Sequence, residues 1–157
     1  MSFLRRWFGT SRSAAGAEGD VTSAAPLAGE QKIALEKLLG ELGNEYNIEG
    51  RIAAAEQLVA TKQFGDMDVA AALAAAGKKA ARQFEQKRMM IAMMHNVRPD
   101  RIDVKPHVDD SRGTSAVVNV LRKLSSRKDH TGPKSKAALE DLKTSITSAE
   151  IRSRVGL

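Results

Sequence analysis

Apolar residues recur along most of the chain at the spacing of an α-helix. The first stripe is formed by Leu35, Leu38, Leu39 and Leu42, which fall on one helical face at i, i+3, i+4 and i+7. The pair Gly43-Asn44 follows, which is typical of a helix C-terminus. Comparable stripes predict further helices over residues 48–62, 114–126, 134–146 and 147–154.

The longest predicted helix covers about residues 66–95. Asp66 is a suitable N-cap residue, and Arg98-Pro99 stops the helix. The segment contains nine alanines, two β-branched residues and no proline, so its intrinsic helix propensity is high. Its Ala-Gly stretch at residues 70–77 lets a partner helix approach closely.

The segments between the helices carry turn signals. Residues 97–113 contain two prolines and alternate locally between apolar and polar positions, which predicts a connector with a short extended piece. Residues 125–133 predict a basic turn. Thr147 and Glu150 have the spacing of a capping box, which starts the last helix.

These patterns predict an all-α fold, a bundle of five or six helices around one long central helix. The helical domain covers residues 29–157, and the acidic hairpin at residues 30–63 packs against the long helix. Residues 1–28 form an amphipathic tag and a flexible linker. With 42% apolar but only 4% aromatic residues, the core is expected to consist of aliphatic side chains and methionine.

Three of the six aromatic residues lie in the first eight positions, which we name the N-terminal tag. In a helix, the apolar side chains of the tag lie on one face and its two arginines on the other. The Gly-, Ala- and Ser-rich residues 9–28 predict a tether. We expect the tag to dock on a membrane surface or a partner protein rather than on its own subunit. The expected docking residues are Phe3, Leu4, Arg5, Arg6, Trp7 and Phe8.

The opening MSFLRRWFG, followed by a tether of small residues, resembles the N-termini of ESCRT-III-type membrane-remodelling proteins. The resemblance covers about nine residues and implies an amphipathic tail that leads into a helical hairpin. In that family the first half of the chain is basic and the second half acidic. The order is the reverse here, so the sequence is not assigned to the family.

The net charge of +6 is unevenly distributed. Residues 26–60 carry three basic and six acidic side chains, whereas residues 101–157 carry twelve basic and seven acidic ones. The two blocks could neutralise each other within one fold or between neighbouring subunits.

Basic side chains cluster on the long helix and near the chain end. Clustered Lys and Arg bind phosphate backbones, so nucleic-acid binding is the alternative function. No aromatic residue is interleaved, which leaves stacking on single-stranded bases unsupported. We favour a solvated face that pairs with the acidic residues of 30–56. The residues that could contact an anionic partner are Lys78, Lys79, Arg82, Lys87, Arg88, Arg122, Lys123, Arg127 and Lys128.

Four methionines form the run MMIAMM at residues 89–94. Such a cluster at a helix end is more often core, and we predict a core position for it. An adaptable binding surface is the alternative, which would require the methionines to be exposed.

The sequence shows no pattern for catalysis or for a metal. The three histidines share no ligand spacing, cysteine is absent, and no nucleophile or acid–base frame is recognisable. We therefore expect a protein without enzymatic activity, cofactor or metal.

The sequence as a whole predicts an assembly or scaffold component of a larger complex. Its partners would be other protein subunits in a homo- or hetero-oligomer, with a membrane surface as a further partner and nucleic acid as second choice. The lack of cysteine is compatible with a reducing intracellular compartment. The Arg-rich start without an early acid also resembles a mitochondrial presequence, and a virion-associated role stays open.

Overall fold

The computed structural model describes residues 27–44, 47–101 and 111–157. Over these residues the chain forms six α-helices, one short 3-10 turn and no strand, which confirms the all-α prediction. The tag, most of the tether and the extended piece predicted after Arg101 lie outside the described residues. The helices are α1 (Gly29–Leu42), α2 (Ile48–Ala60), α3 (Val69–Met94), α4 (Ser111–Ser125), α5 (Thr131–Ser145) and α6 (Ala149–Val155), and the 3-10 turn is Pro99–Arg101.

Helix α3 has 26 residues and is therefore about 39 Å long. Its N-cap is Asp68, whose Oδ1 accepts a hydrogen bond from the Ala71 N–H at 3.1 Å. The prediction of Asp66 as the N-cap was wrong. A turn precedes the helix, closed by the bond from the Met67 N–H to the Phe64 carbonyl, and it holds Asp66 outside the helix.

Other helix starts also differ from the prediction, among them that of α4, which begins at Ser111 rather than near Thr114. In α6 the side chain of Ser148, not Thr147, caps the helix by accepting from the Ile151 N–H at 3.3 Å. Helix α5 begins at Thr131, earlier than predicted; its N-cap residue is His130, and Asp129 Oδ1 accepts a hydrogen bond from the Thr131 N–H at 3.0 Å. The cap residue is chosen by local backbone geometry, which spacing alone does not define.

Helix α4 lies at the centre of the packing, since it contacts α2, α3, α5 and α6. Val117, Val118 and Leu121 are fully buried on it. The long helix α3 contacts α1, α4 and α5. The acidic hairpin therefore does not pack on α3 as one unit: α1 contacts α2 and α3, whereas α2 packs on α1 and α4.

The close approach predicted for residues 70–77 is confirmed at Gly77. A β-carbon added there would lie 3.1 Å from Leu142 Cδ2 and 3.2 Å from Val117 Cγ1. Gly77 therefore lies where α3, α4 and α5 meet, with room for hydrogen but little for a side chain.

Candidate docking surface

The four methionines of α3 lie on one face of its last two turns and are exposed. Met89, Met90, Met93 and Met94 expose 57, 56, 80 and 75% of their surface. At 100° per residue they span about 140° of the helix circumference. Val97, which is 45% exposed, follows just beyond the helix end. We name these five residues the methionine surface, and the prediction that the methionines are core was wrong.

The opposite side of the same turns is the one that holds α3 on the bundle. Ala92 is buried there. Arg88 forms an ion pair of 2.5 Å from Nη1 to the Glu150 carboxylate of α6, and its Nε donates to the Pro99 carbonyl at 2.7 Å. The last turns of α3 are thus anchored by α6 and the 3-10 turn, while the methionines face away from these neighbours.

A backbone cap ends α3 directly after the methionines. Asn96 has a left-handed φ of +51°, and the Val97 N–H donates to the Ala92 carbonyl at 3.0 Å. This six-to-one bond is that of a Schellman cap, for which Asn is a tolerated residue at the left-handed position. The cap fixes Val97 next to the last turn.

Three exposed arginines accompany the methionine surface. Arg98 and Arg101 follow it in the chain, and Arg82 precedes it on the same helical face, at i−7 from Met89 and i−11 from Met93. None of the three forms an ion pair with a residue that the structure describes. Asp100 is an exposed acidic neighbour. Arg98 and Arg101 were not predicted as site residues, although basic residues directly after an apolar cluster were a usable signal.

Several of the basic residues predicted to contact an anionic partner are bound to different parts of the bundle. Lys78 Nζ pairs with Asp141 of α5 at 2.6 Å. Lys79 Nζ donates to the Gly43 carbonyl at 3.2 Å, and Arg122 Nη2 donates to the Gly156 carbonyl near the chain end. Lys87 is half-buried. These interactions tie the basic residues to separate neighbours rather than gathering them on one face.

Arg127 contributes to the fold through several contacts at once. Its guanidinium carbon lies 4.9 Å from the centroid of the Phe64 ring. Its Nη1 donates to the Thr61 carbonyl at 2.9 Å and its Nε to Asp129 at 2.9 Å. Burial raises the pKa of Asp129, but the hydrogen bond and charge of Arg127 together with hydrogen bonds from Thr131 outweigh it and hold that pKa below its ordinary value.

Three of the predicted basic residues remain accessible to an anionic partner. Arg82, Lys123 and Lys128 are exposed and form no ion pair within the described part of the chain. One ion pair joins the acidic residues of 30–56 to a later helix in the described part of the chain, from Arg112 Nη1 to Glu49 Oε1 at 2.9 Å. Arg112 is not one of the basic residues for which this pairing was predicted. The other described ion pairs use acidic residues outside that block.

A groove of about 480 Å³ runs between α2 and α4. Its floor is apolar, and Glu56, Arg112 and Lys123 lie at its rim. The opposite charges at the rim give the groove no clear preference for an anionic or a cationic ligand.

Neither a metal site nor a membrane-spanning helix is found among the described residues. No group of three or more His, Asp or Glu side chains is placed to hold a metal ion there. None of the helices there combines the length and apolar character that crossing a bilayer requires.

Comparison of the chain with protein-family models, with curated proteins and with solved structures finds no match in any of the three.

Proposed function

We propose that the protein is a non-enzymatic helical component of a larger assembly, which docks through its N-terminal tag on a membrane surface or on a partner protein. The observation that carries the role in an assembly is the methionine surface. A contiguous exposed apolar patch is typical of an interaction site. The chain thus has two candidate contact elements, the tag in the sequence and the methionine surface on the bundle.

The core of the bundle supports an external role for the tag. The described residues supply a continuous apolar core, in which Phe64 and Phe84 are each only 2% exposed. Aliphatic side chains from all six helices belong to the same core cluster as these two rings. Because these residues form an apolar core among themselves, the proposal assigns the aromatic residues of the tag to another molecule.

The acidic side chains of α1 support an assembly role. Glu30 and Glu36 are exposed and form no ion pair with a described residue. Exposed carboxylates on α1 and exposed cations on α3 and α4 are complementary between subunits. This complementarity favours a homo- or hetero-oligomer.

The test is deletion of residues 1–9 in the otherwise full chain. We expect the deletion to abolish binding to vesicles or to a partner subunit and to leave the far-UV circular dichroism unchanged. Light scattering with and without residues 1–28 then shows whether the segment also sets the oligomeric state. Binding and oligomeric state that are both unchanged by the deletions would contradict the proposal.

Nucleic-acid binding is the second candidate, supported by the exposed cationic groups of Arg82, Lys123 and Lys128. It requires an affinity for nucleic acid that falls steeply and linearly with the logarithm of the salt concentration. Replacement of these three residues by Gln should reduce that slope by about one for each phosphate group that the wild-type side chains neutralise.

A further inference from the structure

We propose that the methionine surface is a second binding site for an anionic lipid bilayer. This inference rests on the proposed function, because it names a membrane as the docking partner and gives the bundle its own contact with it. The site consists of the apolar face of the last two turns of α3 and the arginines beside it. It differs from the tag in sequence position and can be tested separately.

The shape of the methionine surface fits a bilayer. The four methionines lie on the exposed side of a helix end, and the contacts of Arg88 and the buried Ala92 lie on the other side. An interfacial helix buries one apolar face at the boundary between headgroups and acyl chains and keeps its polar face in water. Unbranched thioether side chains adapt to such an irregular environment.

The charge around the methionine surface favours an anionic ligand. Arg98 and Arg101 are exposed directly after the apolar residues, and Arg82 lies on the same helical face. Asp100 and the half-buried Glu85, which lies at i−4 from Met89, offset two of these charges. Arginine binds phosphate groups through two parallel hydrogen bonds. Lipid phosphates and carboxylates would therefore be held at the edge of the apolar contact.

The same charges disfavour two other occupants. Two copies of the chain that met through their methionine surfaces would bring their arginines towards one another. The tag of the chain itself carries Arg5 and Arg6, which the arginines beside the methionine surface would repel. An anionic bilayer attracts these arginines and causes neither repulsion.

A second contact also strengthens the membrane binding that the tag alone provides. A single short amphipathic segment gives only marginal membrane binding, and stable attachment takes two signals. Two weak contacts on one chain strengthen each other, because the second binds at the high local concentration set by the first. The tag and the methionine surface have the same chemistry, apolar side chains beside arginines.

The experiment measures binding of the full chain to vesicles by co-sedimentation. One set of vesicles is pure phosphatidylcholine, and the other contains about 30% phosphatidylserine. The test variant is M90Q/M93Q/M94Q, and the control is Ile33→Gln, which removes an apolar side chain that is 68% exposed on α1. We expect the triple variant to lose at least about tenfold in affinity for the anionic vesicles and the control to bind like the wild type. Unchanged thermal unfolding would show that both variants are folded.

A second variant in the same experiment tests the arginines beside the methionine surface. Arg98→Gln combined with Arg101→Gln should weaken binding to the anionic vesicles and lower its salt dependence, with little effect on pure phosphatidylcholine. A triple methionine variant that binds anionic vesicles like the wild type overturns the inference. If deletion of residues 1–9 abolishes binding in the same assay, the proposed function stands nevertheless. A wild-type chain that binds a protein partner but no vesicles also overturns the inference, and the docking surface is then a protein interface.

Discussion

Arg127 lies over the ring of Phe64, with 4.9 Å between the guanidinium carbon and the ring centroid. The hydrogen bond from Arg127 Nη1 to the carbonyl of Thr61 spans 66 residues of sequence. Together these contacts hold the turn between α4 and α5 against the loop between α2 and α3. A residue that belongs to a basic cluster in the sequence is therefore part of the tertiary fold.

Replacing Arg127 by Gln should lower the free energy of unfolding by about 1–2 kcal/mol, since the variant loses a cation–π contact and hydrogen bonds from a charged donor. Chemical denaturation measures the change. The matched control is the exposed neighbour Lys128→Gln, which should stay within about 0.5 kcal/mol of the wild type. Equal stability of the two variants would mean that the Arg127 interactions contribute nothing net.

Gly77→Leu should destabilise the protein by at least about 2 kcal/mol. Even a β-carbon at this position would lie 3.1 Å from Leu142 Cδ2, so a larger side chain forces α3 and α5 apart. Gly40 of α1 is the contrasting site, since a β-carbon there meets nothing within 4 Å. Gly40→Ala should raise stability by about 0.5–1 kcal/mol through helix propensity. Thermal unfolding of both variants tests the close packing at Gly77. A Gly77→Leu variant as stable as the wild type would contradict that packing.

Asp68→Ala should cost about 1 kcal/mol of stability at neutral pH, because the N-cap hydrogen bond to the Ala71 N–H is lost. Asp66→Ala is the matched control and should be nearly neutral, since Asp66 is exposed and does not cap α3. A greater loss of stability for Asp66→Ala than for Asp68→Ala would indicate that Asp66 caps α3, as the sequence predicts.

The effect of Asp68→Ala should also depend on pH. Burial raises the pKa of Asp68, but hydrogen bonds from Ala71 and Lys134 and nearby positive charge outweigh it, so that pKa lies below its ordinary value. A carboxylate with a lowered pKa stabilises the fold above the unfolded-state pKa of about 3.9 and loses this effect as the pH falls through the folded-state value. The stability difference between wild type and Asp68→Ala should be constant near neutral pH and shrink below about pH 4. A difference that grows on acidification would contradict this direction.

Trp7→Ala should leave thermal unfolding unchanged and weaken membrane or partner binding, because the proposal places the indole outside the core. Leu73→Asp should unfold the bundle, since Leu73 is fully buried in α3 and a charge there has no place in the apolar core. Differential scanning calorimetry and a binding assay on both variants separate the two roles. A large drop in the melting temperature of Trp7→Ala would place the tag in the core instead.

Much of the architecture could be predicted because helices leave a local signature. The stripe from Leu35 to Leu42 and the alanine-rich segment of α3 each define a helix without reference to the rest of the chain. The close approach at Gly77 followed from composition alone. The N-caps were less accurate, since Asp66 and Asp68 are equally suitable by residue type and the preceding turn decides between them.

The candidate site was harder to predict because exposure is not a local property. The run at residues 89–94 has the composition of a core segment, and sequence periodicity does not show which neighbours cover it. Likewise, the charge of Arg127 suggested an external ligand, whereas its partners lie near Phe64, far away in the chain.

The amino-acid sequence by itself determined the helical class, the long alanine-rich helix and the amphipathic character of the first eight residues, because each follows from side-chain spacing over a few turns. Only the tertiary structure decided that α4 is the most connected helix, that Arg127 is bound within the fold and that the methionines of α3 face outward. These features depend on how the helices cross and on which side of α3 its neighbours cover, and both are set by packing between segments that are distant in sequence.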